Sequence, residues 1–330
     1  MKRLAKTLGS PRLTPYAMLL LGAASVAIYR FDDSASAWLA APLLLLAANL
    51  AAAVATNPAF RRQLPLLMFH LALIALVLLG AAGRLSYMKG RAEVAEGGAL
   101  GALQDVTSGP LHVGKLASLN FINDGFTIDY MAGPVLDRNV SRVRWQDGDG
   151  GWRVAAIEKN APLVLAGYRI SPTSNKGFAP QLLWTPTQGA PVLAALHLPS
   201  YPANAASQAN SWHPPGASAS LWVMLPIDEE LIPAARASTF RLPAKHTLVL
   251  RRGAERWILQ PGERLELPDG VVEYRALGTW MGYQISYDWT IPWLLAACAL
   301  ALLSMTWHFW RKFAATAWDK DNKETLNHGI

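Results

Sequence analysis

The stretch QLPLLMFHLALIALVLLG, residues 63–80, decides how the rest of the sequence is interpreted. Every residue after Leu64 is apolar except His70. A helix of about 20 such residues crosses the ~30 Å hydrocarbon core of a bilayer, because each residue adds 1.5 Å. The stretch therefore predicts a membrane-spanning helix with one imidazole inside it.

Three other segments have the same composition. In a chain of 330 residues that is 52% hydrophobic and 16% charged, apolar blocks lie at about 15–31, 36–55, 64–83 and 291–310. A helix that is apolar on every side does not suit the surface of a soluble protein. The blocks therefore predict a membrane protein with three transmembrane α-helices within 15–83 and a fourth at 291–310.

The charges are distributed unevenly along the chain. Residues 1–14, the loop at 56–63 and the tail at 311–330 together hold ten cations and three carboxylates, which accounts for the net charge of +7. Residues 84–290 hold 19 cations and 18 carboxylates. Because cationic loops stay on the cytoplasmic side, we expect a multi-pass protein of the cytoplasmic (inner) membrane. Both termini would be cytoplasmic and the 84–290 domain extracytoplasmic, with no basic patch for nucleic acid.

The first apolar block also has features of a secretory signal peptide. Its basic start and the small residues SASA, at 34–37, fit a cleavable leader. The charged YRFDD at 29–33 and the second apolar block directly after it favour an uncleaved helix.

Cys298 is the sole cysteine of the chain, and it lies in the fourth block. A single cysteine excludes a disulfide within the chain and CxxC chemistry. It also excludes a cysteine-based zinc site and covalent haem attachment to this chain.

Between residues 84 and 290 the pattern changes to short alternating runs separated by Gly, Pro, Asn and Asp. Examples lie at 125–133, 141–146, 152–157, 162–171, 219–226, 246–252, 256–268 and 283–289. Alternation of apolar and polar residues predicts strands, and DGDGG at 147–151 predicts a hairpin turn. The polar stretch at 199–218 predicts a loop or a joint between subdomains. We expect a large antiparallel β-rich domain, built as a sandwich or an open barrel.

The predicted β-domain lacks a convincing catalytic motif. It contains four histidines without metal-ligand spacing, and no GxSxG, HExxH or phosphate-loop motif. The DEE at 228–230 is interpreted as a solvated turn. We therefore expect no catalytic residue in this chain, and expect the domain to bind or position another molecule.

His70 is the strongest functional candidate. It lies about 9 Å inside the bilayer, six residues past Leu64, on an apolar helix face. In a structural interpretation the neutral ring bonds to a carbonyl or hydroxyl of a neighbouring helix. In a functional interpretation it is an axial ligand of haem iron, because neutral imidazole binds iron and a bilayer suits an apolar macrocycle. A ring bonded only to a backbone oxygen would count against the ligand role.

His308 is the other histidine within a predicted span, and a weaker candidate for a haem ligand. It lies about 3 Å from the inner end of the fourth block, so its depth differs from that of His70 by roughly 6 Å. Only helix tilt would bring the two rings to one iron. An imidazole from a different polypeptide is the better second ligand.

Residues in and before the fourth block predict how it lies in the membrane. The small residues Ala297 and Ala301 would allow close approach of another helix. Trp280, Trp289 and Trp293 would form an aromatic belt at the outer interface.

Several stretches resemble the ResB (CcsB) family of cytochrome c biogenesis proteins. They are FHLALIALVLLGAAGRL (69–85), YMKGRAEVAEG (87–97), FTIDYMAGPVLDRNVSRVRWQDGD (126–149), EKNAPLVLAGYRISPTS (158–174) and YQISYDWTIPWLLAACALALLSMTWHFWRKF (283–313). Three spans, a large outer domain and a fourth span also match the layout of that family. The chain departs from it where Ser171 and Pro172 replace a usual tyrosine, and family members are usually longer.

The resemblance implies a role in the system II cytochrome c synthase. There, the ResB-type subunit and its CcsA/ResC-type partner move haem across the membrane, and haem is joined covalently to apocytochrome c at the outer face. His70 matches the family's transmembrane haem ligand, so the implied cofactor is haem b, held transiently and shared with the partner. Two alternatives remain: a b-type electron-transfer subunit that uses both His70 and His308, and a membrane-anchored scaffold of a respiratory or secretion complex.

Overall fold

The computed structural model describes residues 7–31, 37–114 and 116–314. The chain divides into two compact units. The helical unit contains the long helices and the segment Thr107–Val113, and the β unit comprises Lys89–Val106 and Gly114–Ser286. The expected cleavage motif and the C-terminal tail fall largely outside the described residues.

In the described ranges, the α-helices of the helical unit with defined bounds are four long ones and a short one. They are α1 (Leu13–Phe31), α2 (Ala40–Thr56), α3 (Pro58–Arg62), α4 (Leu64–Ser86) and α5 (Ile291–Ala314). By length and composition, the four long ones suffice to cross a membrane. Helices α4 and α5 end three and four residues beyond the predicted apolar blocks. Hydropathy marks the apolar part of a helix, whereas the backbone hydrogen bonding continues into the polar residues that follow.

The break between α2 and α4 comes from local capping. The Asn57 backbone N–H donates to the Ala53 carbonyl and ends α2, and the Asn57 side chain accepts from the Ala59 N–H to begin α3. Pro58 stands at the start of α3, where its missing N–H costs nothing. Pro65 does the same for α4.

Helix α4 packs against α2 and α5, and small residues are among the buried side chains of these helices. Ala72 of α4 is buried, as are Ala297 and Ala301 of α5, so the predicted small-residue face of the fourth block is confirmed. The outward faces carry large apolar side chains: Leu302 and Leu303 are 70% and 69% exposed. Such a surface is costly in water and suits lipid.

Among the described residues, the β unit contains fifteen strands. They are β1 (Met88–Ala95), β2 (Gln104–Ser108), β3 (Ile122–Tyr130), β4 (Leu136–Gln146), β5 (Trp152–Ile157), β6 (Leu163–Leu165), β7 (Tyr168–Pro186), β8 (Val192–Ala195), β9 (Ala209–Trp212), β10 (Leu221–Met224), β11 (Ser238–Thr239), β12 (Leu248–Arg252), β13 (Glu255–Leu259), β14 (Arg264–Leu267) and β15 (Gly270–Tyr287). A seven-stranded sheet follows the order β2–β1–β15–β7–β6, with β14 on β15 and β8 on β7. Two four-stranded sheets have the orders β13–β12–β10–β9 and β11–β3–β4–β5.

The predicted hairpin at 147–151 is confirmed, because β4 and β5 pair antiparallel on either side of it. Two other expectations need correction. The stretch at 199–218 is not a loop throughout, since β9 lies within it and pairs with β10. The strands also divide among three sheets rather than two, because strand order depends on pairing partners that local alternation does not specify.

Large aromatic side chains on the two longest strands fill the core of the β unit. Trp184 and Tyr168 of β7, with Trp280 and Tyr283 of β15, are at most 1% exposed. Each such ring removes ~150–250 Å² from water, which stabilises the fold by roughly 4–6 kcal/mol before entropy is counted. The placement of Trp280 in an interfacial belt is therefore wrong. It is a core residue that donates to the Leu198 carbonyl at 2.9 Å.

Candidate functional site

His70 lies in the second turn of α4, and its ring bonds to its own helix. Its Nδ1 lies 2.8 Å from the carbonyl oxygen of Leu66, one turn earlier. A carbonyl can only accept, so Nδ1 carries the hydrogen in this contact. The bond therefore selects the tautomer in which Nε2 keeps its lone pair.

The other contacts of the His70 ring are aromatic. Phe60 of α3 lies with its ring centroid 4.4 Å away at a tilted angle, and Phe69 lies edge-on at 5.4 Å. The ring is half-buried. Within residues 7–31, 37–114 and 116–314, no hydrogen-bond partner faces its Nε2.

These contacts bear on both interpretations of His70. The bond from Nδ1 to a backbone oxygen is what a structural role requires, and that oxygen is the ring's sole hydrogen-bond partner in the described part of the chain. A metal-ligating histidine has the same arrangement, because its second nitrogen usually donates to a carbonyl or carboxylate that orients the ring. By the criterion stated from the sequence, this contact counts against the ligand role, but it leaves Nε2, the nitrogen that would bind iron, without a hydrogen-bond partner in the described residues.

His308 is not brought to His70. It lines a cavity of about 440 Å³ together with Gln63 and Pro65, at the beginning of α4, and His70 is not part of that lining. Five to seven residues of helix separate that level from His70, which corresponds to roughly 8–10 Å. Among the described residues, the ring in contact with His308 is that of Phe309, with the centroids 5.7 Å apart. The proposed role of His308 as a haem ligand stays a prediction.

The histidines of the predicted outer domain have separate surroundings. Their Nδ1 atoms contact the Ser86 carbonyl (His112, 3.0 Å), a Glu93 carboxylate (His197, 3.5 Å), the Ser220 hydroxyl (His213, 3.2 Å) and the Tyr274 hydroxyl (His246, 2.9 Å). No group of three or more His, Cys, Asp or Glu side chains in the described ranges could hold a metal ion. Burial lowers the pKa of His197, although Glu93 opposes that shift.

Residues 228–230, interpreted as a solvated turn, include two anchored carboxylates, since Glu230 accepts from the Ala234 N–H at 3.3 Å. Glu229 pairs with the exposed Arg241 at 2.6 Å and accepts from the Ala244 N–H. Its pKa is lowered, chiefly by the Arg241 hydrogen bond. The arrangement is a surface ion pair.

Comparison with known proteins places these features in a family. A family model for the ResB-like family matches residues 51–223, which is more than half of the chain. The chain belongs to the ResB-like family. The comparison with curated proteins found no match. ResB-like membership indicates a function related to cytochrome c biogenesis.

The ResB-like match includes α4 with His70 and ends before α5 with His308. The earlier resemblance to ResB is thereby confirmed. Two sets of charged side chains were not recognised from the sequence. One is the buried Lys176 on β7, and the other is the set of cations around His308. The cations were visible as a charge excess, but their convergence on one cavity depends on how α4 packs against α5.

Proposed function

We propose that this chain is the ResB-type subunit of a system II cytochrome c synthase. It helps carry haem across the membrane and presents it, with apocytochrome c, for covalent attachment by a CcsA/ResC-type partner. Family membership supports the biogenesis role. The observation that supports the haem step is the His70 Nε2, which the Nδ1 bond leaves as an acceptor and which has no hydrogen-bond partner in the described residues.

The membrane placement follows from the helices and the charges. Four helices are long and apolar enough to span, and their outer surfaces carry large apolar side chains. The cation excess on residues 1–14, 56–63 and 311–330 supports a cytoplasmic location for both termini. The β-rich domain then lies outside the cytoplasmic membrane, where apocytochrome c is matured.

In this proposal His70 supplies one axial imidazole to haem b in transit. Haem is the cargo, and when bound it supplies the iron that the imidazole ligates. The second axial ligand comes from the CcsA/ResC-type partner, because the cavity lining places His308 near the start of α4 rather than beside His70. The Leu66 bond keeps the ring in one tautomer and one orientation.

The chain contributes no acid, base or nucleophile of its own in this proposal. Thioether formation takes place on the partner, since the single cysteine of this chain lies on α5 and no catalytic motif is present. The β-rich domain presents apocytochrome c or caps the partner's site.

A scaffold role is the second candidate, and the Leu66 contact favours it equally. If His70 only satisfies that carbonyl, an amide in its place should leave function intact. The b-type electron carrier is less well supported, because it needs His70 and His308 on one iron and the structure does not bring them together.

Cytochrome c maturation tests the proposal. The chain and a CcsA/ResC-type partner would be co-expressed in cells without their own maturation system, and covalent haem in cytochrome c would be stained. We expect His70→Ala and His70→Gln to abolish maturation, and added imidazole to restore it in His70→Gly. Maturation by His70→Gln at the wild-type level would establish the scaffold role instead.

A further inference from the structure

A cavity of about 440 Å³ lies at the end of the helical unit where α4 begins and α5 ends. Its lining residues are Arg62, Gln63, Pro65, His308, Arg311 and Lys312. Three of these six side chains are cations, and none is a carboxylate. Cations that share a cavity repel one another, and an anion between them lowers that repulsion. Lys312 has an interaction of its own, so Arg62 and Arg311 are the cations available to an added anion.

The two arginines lack carboxylate partners in the described ranges. Neither Arg62 nor Arg311 forms an ion pair with any residue of 7–31, 37–114 or 116–314. Arginine presents a planar fork of donors that matches the oxygens of phosphate. The pair is therefore suited to a phosphate group.

The start of α4 adds positive potential to the same cavity. Gln63 precedes this 23-residue helix, and its side chain makes no capping hydrogen bond. The first backbone N–H groups of α4 thus have no side-chain cap from Gln63, and the helix dipole is positive at this end. Anions bind readily at such a terminus when cations stand beside it.

Aromatic residues place the cavity at the level of lipid headgroups. Trp307 and Trp310 flank His308 on α5 and are 41% and 73% exposed. Exposed tryptophans at the end of a spanning helix lie at the membrane–water interface. This step rests on the membrane placement proposed above, but not on the haem role of His70.

We propose that this cavity binds the phosphate of an anionic phospholipid headgroup. Basic pockets between spanning helices on the cytoplasmic side accept such headgroups. Arg62 and Arg311 contact the phosphate oxygens, and Lys312 and the α4 terminus add to the positive potential. A bound headgroup would join the start of α4 to the end of α5.

Native mass spectrometry of the full chain in detergent tests this proposal. The protein would be titrated with phosphatidylglycerol, with phosphatidylcholine of the same acyl chains, and with inorganic phosphate. We expect phosphatidylglycerol to bind at least tenfold more tightly than the other two. Each cation near a membrane surface contributes about 1 kcal/mol, so Arg62→Gln/Arg311→Gln should weaken phosphatidylglycerol about 30-fold.

Arg30→Gln/Arg84→Gln is the matched control, because it removes two cations from the last turns of α1 and α4 instead. This variant should bind phosphatidylglycerol like the wild type, and circular dichroism would check the fold of both doubles. Equal weakening in the two doubles would overturn the site. Equal binding of inorganic phosphate would overturn its assignment to lipid.

The haem content of the same samples separates the two proposals. We expect Arg62→Gln/Arg311→Gln to retain haem b when the CcsA/ResC-type partner is present. Loss of haem with unchanged phosphatidylglycerol binding would overturn the lipid assignment and give the cavity to haem. Loss of phosphatidylglycerol binding with retained haem would support the lipid assignment, independently of whether His70 binds haem.

Discussion

Lys176 provides a sharp test of the packing in the β unit. Its side chain is 3% exposed, and its Nζ hydrogen-bonds to the Tyr130 hydroxyl. The same atom lies 4.8 Å from the Tyr130 ring centroid and 5.8 Å from that of Phe240. Burial lowers the pKa of Lys176 from 10.5 to about 8, and it raises the pKa of Tyr130 to about 12.

The lowered pKa makes stability depend on pH with a definite sign. The folded state releases the Lys176 proton at a lower pH than the unfolded state, so the unfolded state binds more protons between pH 8 and 10.5. The free energy of unfolding therefore rises with pH in that window. Below pH 8 the burial of charged Lys176 lowers the free energy of unfolding by its full amount, which the change in pKa puts at roughly 3 kcal/mol. Above pH 10.5 this destabilisation vanishes.

Lys176→Met removes this dependence while keeping an unbranched side chain. Loss of the hydrogen bond to Tyr130 also changes the free energy of unfolding, but by the same amount at pH 7 and pH 9. The test is therefore how the difference between wild type and variant changes with pH. From pH 7 to 9 the free energy of unfolding of the wild type should rise by roughly 1.4 kcal/mol relative to the variant. Urea unfolding of the full chain in detergent, followed by tryptophan fluorescence, would measure it. The exposed Lys159→Met is the control, and an equal difference at every pH would refute the reasoning.

Three further substitutions test particular contacts by the same unfolding assay. Tyr283→Phe should lower the free energy of unfolding by about 1–3 kcal/mol, because it leaves the buried Ser141 hydroxyl without its 2.7 Å partner. Combining it with Ser141→Ala should restore part of that free energy. Gly177→Ala should lower the unfolding midpoint, since a Cβ there would lie 2.6 Å from the Trp280 Nε1. Asn49→Leu should lower the free energy of unfolding of the helical unit by about 1–2 kcal/mol. The buried Asn49 side chain of α2 forms hydrogen bonds with three groups near the start of α1. Wild-type stability in any of these variants would contradict the corresponding contact.

Hydropathy and spacing predicted the four long helices and eight of the fifteen strands, whereas most of β7 and β15 and all of β1, β2, β8, β9 and β11 lie outside the runs named from the sequence. Apolar blocks marked the four long helices because a spanning helix needs an uninterrupted apolar length. The short helix α3, which carries Phe60 to His70, was missed. Its signal was present in Asn57 and Pro58, a capping residue followed by the proline typical of a first helical position.

The rest of the fold depends on pairing that no local pattern encodes. Five consecutive residues of β7, from Lys176 to Pro180, are buried. Alternation predicts that every second residue is exposed, so a strand covered on both faces cannot be recognised this way. Trp280 was misplaced for a related reason: it precedes α5 by eleven residues and belongs to the long strand β15.

The candidate site was only partly accessible from sequence. The depth and isolation of His70 followed from its position in an apolar helix. The direction of its Nδ1 bond did not, because a histidine at this depth can bond to its own helix or to a neighbour. The sequence expectation named a neighbouring helix, and the structure places the acceptor within α4.

Haem bound per polypeptide tests the central claim most directly. The chain would be purified with its CcsA/ResC-type partner, and the b-type absorbance of the reduced complex measured for wild type, His70→Ala and His308→Ala. We predict that His70→Ala lowers this absorbance about tenfold or more, while His308→Ala retains it. Undiminished b-type absorbance in the His70→Ala complex would contradict the account.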